Sequence, residues 1–140
     1  MRTAQLAILA AFLAASAHAF AIGEVTIGRL GAAVEIRYTL FTLSPTGEVR
    51  STGTERVDYL RMDSITTVSF DPLYTLIPQV RTTAVHVEIA GLRGEAQHYT
   101  FVFRPGKDDE AREVADVLAQ TVFVPPSAAD SRAKKPAPNK

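Results

Sequence analysis

Between Glu24 and Phe103 the apolar residues recur at every second position in short runs, whereas from Asp108 to Val122 they recur every third or fourth. The first rhythm builds strands and the second a helix, because strand side chains alternate between faces while helical ones return after about 3.6 residues. Glu24–Leu30 and Ala33–Leu43 predict a β-hairpin around Gly31-Ala32, with glycine where a type II′ turn requires it. That pairing sets Ile27 opposite Ile36 and Val25 opposite Tyr38. Val34 and Leu40 extend the same face, and Glu35, Arg37 and Thr39 point away.

Ser44-Pro45-Thr46-Gly47 reads as a turn, Glu48–Thr52 as a short returning strand, and Ser51-Thr52-Gly53 as its break. Glu55–Arg61 and Ser64–Phe70 are two further strands around Met62-Asp63, the second ended by Asp71-Pro72. Apolar residues fall on both faces of Ser64–Phe70, which leaves its buried side open. Leu73–Gln79 is apolar but interrupted by Pro78, the pattern of an edge strand or of a loop over the core. In Thr82–Ala90, Val85, Val87 and Ile89 face inward and His86 and Glu88 outward. Gly91-Leu92-Arg93-Gly94 then turns the chain into a strand at Tyr99–Phe103. If odd residues pair with odd ones, Val85, Val87 and Ile89 meet Tyr99, Phe101 and Phe103.

Arg104-Pro105-Gly106 ends that strand, because proline lacks a ladder donor and glycine permits a sharp turn. Asp108 or Asp109 is placed to cap the helix that follows, and Asp108, Asp109 and Glu110 set negative charge at its N-terminus, where the dipole favours it. Ala111, Val114, Ala115, Leu118 and Val122 form its apolar stripe. About fifteen isolated helical residues are marginal in water, so the helix must dock on the sheet.

The ends of the chain have a different composition. Met1-Arg2, the apolar run Leu6–Ala15 and the small-residue triplet Ala17-His18-Ala19 follow one another as the parts of a secretory signal peptide cut after Ala19. An uncleaved anchor is the alternative, since Thr3–Gly23 is uncharged and a span needs roughly 20 apolar residues; Gln5, Ser16 and His18 speak against it. From Pro125 to Lys140 no large apolar residue occurs, and Arg132, Lys134, Lys135 and Lys140 face Asp130 alone, which predicts a disordered basic tail. The organisation expected is a leader over 1–19, one β-rich domain over 20–124, and a tail over 125–140. The product is expected in the periplasm or outside the cell.

Charge and composition narrow the chemistry. The 140-residue chain balances 15 Lys+Arg against 15 Asp+Glu and has no cysteine. That excludes disulfides, thiolate metal sites, cysteine nucleophiles and the basic footprint of a nucleic-acid binder. His86, Glu88 and His98 share the outward face of two neighbouring strands and are the candidate metal ligands; as ordinary surface residues they need no metal. Asp58 and Asp63 form the one carboxylate pair worth naming, without a third group beside them. No Gly-x-Ser-x-Gly elbow and no glycine-rich phosphate loop occurs. No cofactor is expected.

The strand entry Asp63-Ser64-Ile65-Thr66-Thr67-Val68, the ending Tyr99-Thr100-Phe101-Val102-Phe103 and the final Glu110-Ala111 to Leu118 helix resemble the small bacterial pleckstrin-homology-like (PH-like) domain. The resemblance spans Glu24–Val122. It implies an antiparallel sheet or small β-barrel, an α+β fold whose last helix plugs one open end. It also implies a binding or scaffolding module without catalytic apparatus. Members that hold phosphoinositides use basic residues around the first strand turn; here that turn is Leu30-Gly31-Ala32, so inositol phosphate binding is not supported.

The expectation is an exported, non-enzymatic interaction or scaffolding module of the bacterial envelope, with another envelope protein as partner. Contact is expected through a sheet edge or through Leu73, Tyr74, Leu76 and Ile77, with Lys134 and Lys135 touching anionic surfaces. The alternative is a periplasmic protein that binds a small ligand or lipid in a barrel interior or mouth.

Overall fold

A computed structural model describes residues 19–125. Of the leader expected over 1–19 only Ala19 falls among them, and of the tail over 125–140 only Pro125; Lys134 and Lys135 lie outside the described residues. The elements are β1 (Ala19–Leu30), β2 (Ala33–Leu43), β3 (Val49–Arg61), a 3-10 turn (Met62–Ser64), β4 (Ile65–Ile77), β5 (Val80–Ala90), β6 (Ala96–Phe103) and the helix α1 (Asp108–Phe123). They form an α+β domain with one six-stranded sheet in the order β3-β2-β1-β6-β5-β4.

The sheet is two antiparallel meanders, β1–β3 and β4–β6, joined side by side. The joint is a parallel contact of β1 with β6, registered only at Ile22 and Phe103. The sheet is therefore mixed where an antiparallel one was expected, and it is not closed into a barrel. Its outer strands β3 and β4 share no pairing among the described residues. Yet only Met62–Ser64 separates them in the chain. Four Cα steps reach at most about 14 Å, while six flat strands would set the edges about 24 Å apart. The sheet is thus strongly curled without completing the circle.

Several local expectations hold. Ile27 faces Ile36 in register. Gly31 has φ 58 at the first position of the turn between β1 and β2. Val85 pairs with Phe101 and Val87 with Tyr99, and Ala111, Val114, Ala115 and Leu118 are the buried stripe of α1. Gly91 lies where an added Cβ would collide with the Glu95 carbonyl, so the turn into β6 needs glycine there.

Other expectations are corrected. Val25 does not face Tyr38, because the β1–β2 register shifts between Gly23 and Thr26 and Glu24 takes φ 54. β3 runs unbroken through Ser51-Thr52-Gly53. The hydroxyls of Ser51 and Thr52 accept the N–H groups of Gly53 and Thr54, so the irregular backbone is satisfied locally. β4 continues through Asp71-Pro72, which an edge strand tolerates because one side of it needs no donor. At the start of α1, Lys107 is the N-cap residue and no side chain caps it. The turn Pro105-Gly106, closed by Lys107 N–H on the Arg104 carbonyl, starts the helix without an aspartate cap.

The concave side of the sheet holds the core. Ile22, Val34, Ile36, Tyr38, Val85, Val87, Phe101 and Phe103 pack there against the α1 stripe, with Leu60 and Ile65 closing the corner where β3 passes into β4. Fully burying one Leu or Phe stabilises by about 1.5–3 kcal/mol. Alternation places Ala21, Phe41, Leu43, Ala84 and Val102 on the opposite face, and they too are buried. There the Arg104 guanidinium lies 4.2 Å from the centre of the Phe41 ring. A Cβ at position 23 would come within 2.9 Å of both. Gly23 is the residue that lets them stack.

Candidate functional site

Two of the open clefts on the curled sheet differ in construction. The first, of about 430 Å³, runs between β1 and α1. Its β1 wall is the continuous stretch Glu24, Val25, Thr26 and Ile27, and its helix wall is Glu110, Glu113, Val114 and Val117. Val25 and Ile27 pack on the core from its edge, whereas Val117 is 39% exposed. The floor is apolar and the rim carries three carboxylates. The backbone N–H of Glu24 donates to Glu110 Oε1 at 3.0 Å, and Thr39 Oγ1 donates to Glu24 Oε2 at 3.0 Å. Helix and bulge are thereby tied across the inner end of the cleft.

The second cleft, of about 330 Å³, lies at the tip of the β4–β5 hairpin, with Leu73, Tyr74, Gln79 and Val80 on its walls. It contains two of the residues expected to make contacts. Leu73 is 68% exposed and Tyr74 half-buried; Leu76 is half-buried, and Ile77 is buried and unable to meet a partner directly. Arg81 at its rim reaches Asp108 of α1 at 3.5 Å. Among the described residues, the non-glycine positions with positive φ are Glu24 (φ 54) and Gln79 (φ 68). Each lines one of the two clefts. Such backbone conformations disfavour L side chains and concentrate at functional positions.

The candidate metal ligands do not converge. His98 stands opposite Glu88, and His86 opposite Thr100. His86 is engaged elsewhere: its Nδ1 is 3.0 Å from Thr100 Oγ1 and its Nε2 3.4 Å from Asp71 Oδ2, with the Tyr74 ring edge-on at 5.5 Å. No group of three or more ligating side chains is placed to hold a metal among the described residues. Carboxylate, imidazole and hydroxyl in a row can activate a nucleophile, but Thr100 sits on the open outer face of the sheet. Asp71 also accepts the Leu73 N–H at 3.0 Å. The row serves to brace the irregular middle of β4 against β5 and β6.

Asp58 and Asp63 do not meet as a pair. Asp58 accepts the Tyr38 hydroxyl at 2.7 Å. Burial, with that hydrogen bond second, pushes Tyr38 up to about 12. Asp63 is held bidentately by Arg61 at 3.2 and 2.7 Å, and the guanidinium lowers its pKa. Each carboxylate is committed to a structural contact.

The β1–α1 cleft is not foreseeable from periodicity, because it depends on the Glu24 bulge and on where the helix docks. Its sequence signal is the acidic, valine-bearing outer side of α1 at Glu113 and Val117. Family models, curated proteins and solved structures all give no match to this chain.

Proposed function

We propose that the chain is a non-enzymatic interaction or scaffolding module of the bacterial cell envelope, exported by its N-terminal leader and built on a PH-like plan. The observation that supports this reading is the contrast between a filled interior and an apolar cleft open at the surface. Phe103, Ile36, Leu118, Val85 and Val87 fill the concave side of the sheet, and the β1–α1 cleft offers apolar side chains beside a strand edge. Surfaces of this kind bind polypeptides, by side-chain pockets or by strand addition. The described carboxylates and histidines have structural partners or open exposure, which supports a role in contact rather than in turnover.

Native mass spectrometry of the protein isolated from its own compartment tests the reading. The expected species is the chain from Phe20 onward, alone or with a second polypeptide. A stoichiometric lipid or metal adduct would overturn it in favour of a ligand-binding protein.

A further inference from the structure

We propose that the outer edge of β1 beside α1 takes up an extended, basic polypeptide segment as an added strand. This rests on the interaction-module reading above and names its site and its partner chemistry. Past its single registered contact with β6 at Ile22, β1 is paired on one side only: Thr26–Leu30 bond to β2, and no strand among the described residues lies on their other side. Alternate N–H and C=O groups along this stretch therefore face outward without a ladder partner, the template on which an extended chain adds.

Among the described residues the outer strands β3 and β4 also present free edges, and both are protected, while β6 is registered with β1 only at Phe103. β3 presents Arg50, Glu55 and Arg56 and the irregular Gly53, while β4 contains Pro72 and register shifts on either side of Tyr74. Charge, proline and bulges are the devices that keep strands off an edge. The β1 edge carries the Glu24 bulge and Arg29, but it also has an apolar cleft alongside, with Val25 and Ile27 on one wall and Val114 and Val117 on the other.

Charge selects the occupant. Glu24, Glu110 and Glu113 rim the cleft, and among the described residues none of them is in an ion pair. Along α1, Asp108, Asp109, Glu110, Glu113 and Asp116 face a single base, Arg112. An incoming strand that alternates Lys or Arg with apolar residues places the latter on the valine floor and the former against the carboxylates. An acidic or proline-rich segment is rejected by charge or by its missing donors.

The test uses the isotope-labelled full chain and a ten-residue peptide alternating lysine with valine, with a glutamate–valine peptide as control. The expected result is saturable binding of the basic peptide alone. Shifts centre on residues 24–30 and 110–117, and hydrogen exchange at the β1 amides slows by about tenfold or more, as new strand pairing requires. The Glu113→Lys variant, at an exposed position of the helix, weakens binding by about tenfold. Binding without slowed exchange in β1 overturns strand addition. Binding confined to the Leu73–Arg81 cleft overturns the site while leaving the interaction module standing. Shifts at 24–30 that grow with protein concentration alone make a second copy the occupant and overturn the proposal. Tighter peptide binding by the Lys134→Glu/Lys135→Glu variant does the same in favour of the chain's own C-terminal segment. No peptide binding, together with a lipid adduct in the mass spectrum, sinks both this proposal and the reading beneath it.

Discussion

The two clefts are similar in size but differ in what makes them. The hairpin-tip cleft is drawn from Leu73 to Arg81, a stretch within two adjacent strands. The β1–α1 cleft joins residues about ninety positions apart, Glu24–Ile27 with Glu110–Val117. The first survives as long as one hairpin survives. The second exists only when helix, bulge and sheet are all in place, so its walls report on the tertiary fold as well as on any partner.

Removing the docking of α1 should separate them most sharply. Leu118 is fully buried in the stripe that holds the helix to the sheet. Leu118→Ala should lose about 2–5 kcal/mol in denaturant unfolding. Its helix amides should exchange faster, while the β4–β5 hairpin keeps more of its protection. Equal loss of protection in both regions would show that the clefts are not separable. Gly23→Val comes next, since its side chain would displace Arg104 from Phe41. A loss of about 1–3 kcal/mol is expected, with chemical shifts moving in β1 and β2 before β4.

Alkaline titration sharpens the comparison from another side, because Tyr38 belongs to the β1–β3 meander. Its hydroxyl ionises near 10 when unfolded and at about 12 in the fold. The folded state thus holds the proton more tightly. Stability should be undiminished below pH 10 and fall as the pH rises towards 12. Tyr38→Phe should remove that slope; an unchanged slope would show that Tyr38 does not carry it.

The backbone strain at each cleft supplies a smaller effect. Gln79→Gly should stabilise by less than about 1 kcal/mol, because relief of the left-handed backbone is partly offset by the greater freedom glycine gives the unfolded chain. Glu24→Gly should gain less, because it forfeits the hydrogen bond from Thr39. A loss at Gln79 would mean that the side chain contributes more than its conformation costs. The smallest change in stability is expected for Leu73→Ser at the exposed hairpin tip, within about 0.5 kcal/mol. Its melting curve should overlay the parent's.

Much of the fold was legible because the strands are long and patterned. The pairs Ile27–Ile36 and Val85–Phe101 follow from turn length and period two, and the α1 stripe from spacing alone. Gly53 and Pro72 look like ends, yet β3 and β4 carry them as irregularities because both are edge strands with one side free. Alternation is enough to put His86, Glu88 and His98 on one face, but the thirty residues that bring Asp71 and Thr100 to either side of His86 are invisible to a local pattern. Of the contact candidates, Leu73 and Tyr74 line a cleft, whereas Ile77 went to the interior.

What the sequence by itself determined is one β-rich unit followed by an amphipathic helix, with turns at glycines 31 and 91 and no thiol chemistry. Each depends on neighbours within a few residues, through steric limits on φ or the period of a face. Only the tertiary structure decided that the two meanders meet at Ile22 and Phe103, that the sheet curls without closing, and that β1 has, among the described residues, a free edge beside an acidic helix. Those features come from packing between residues far apart in the chain, where the energy of a contact depends on every other contact being made.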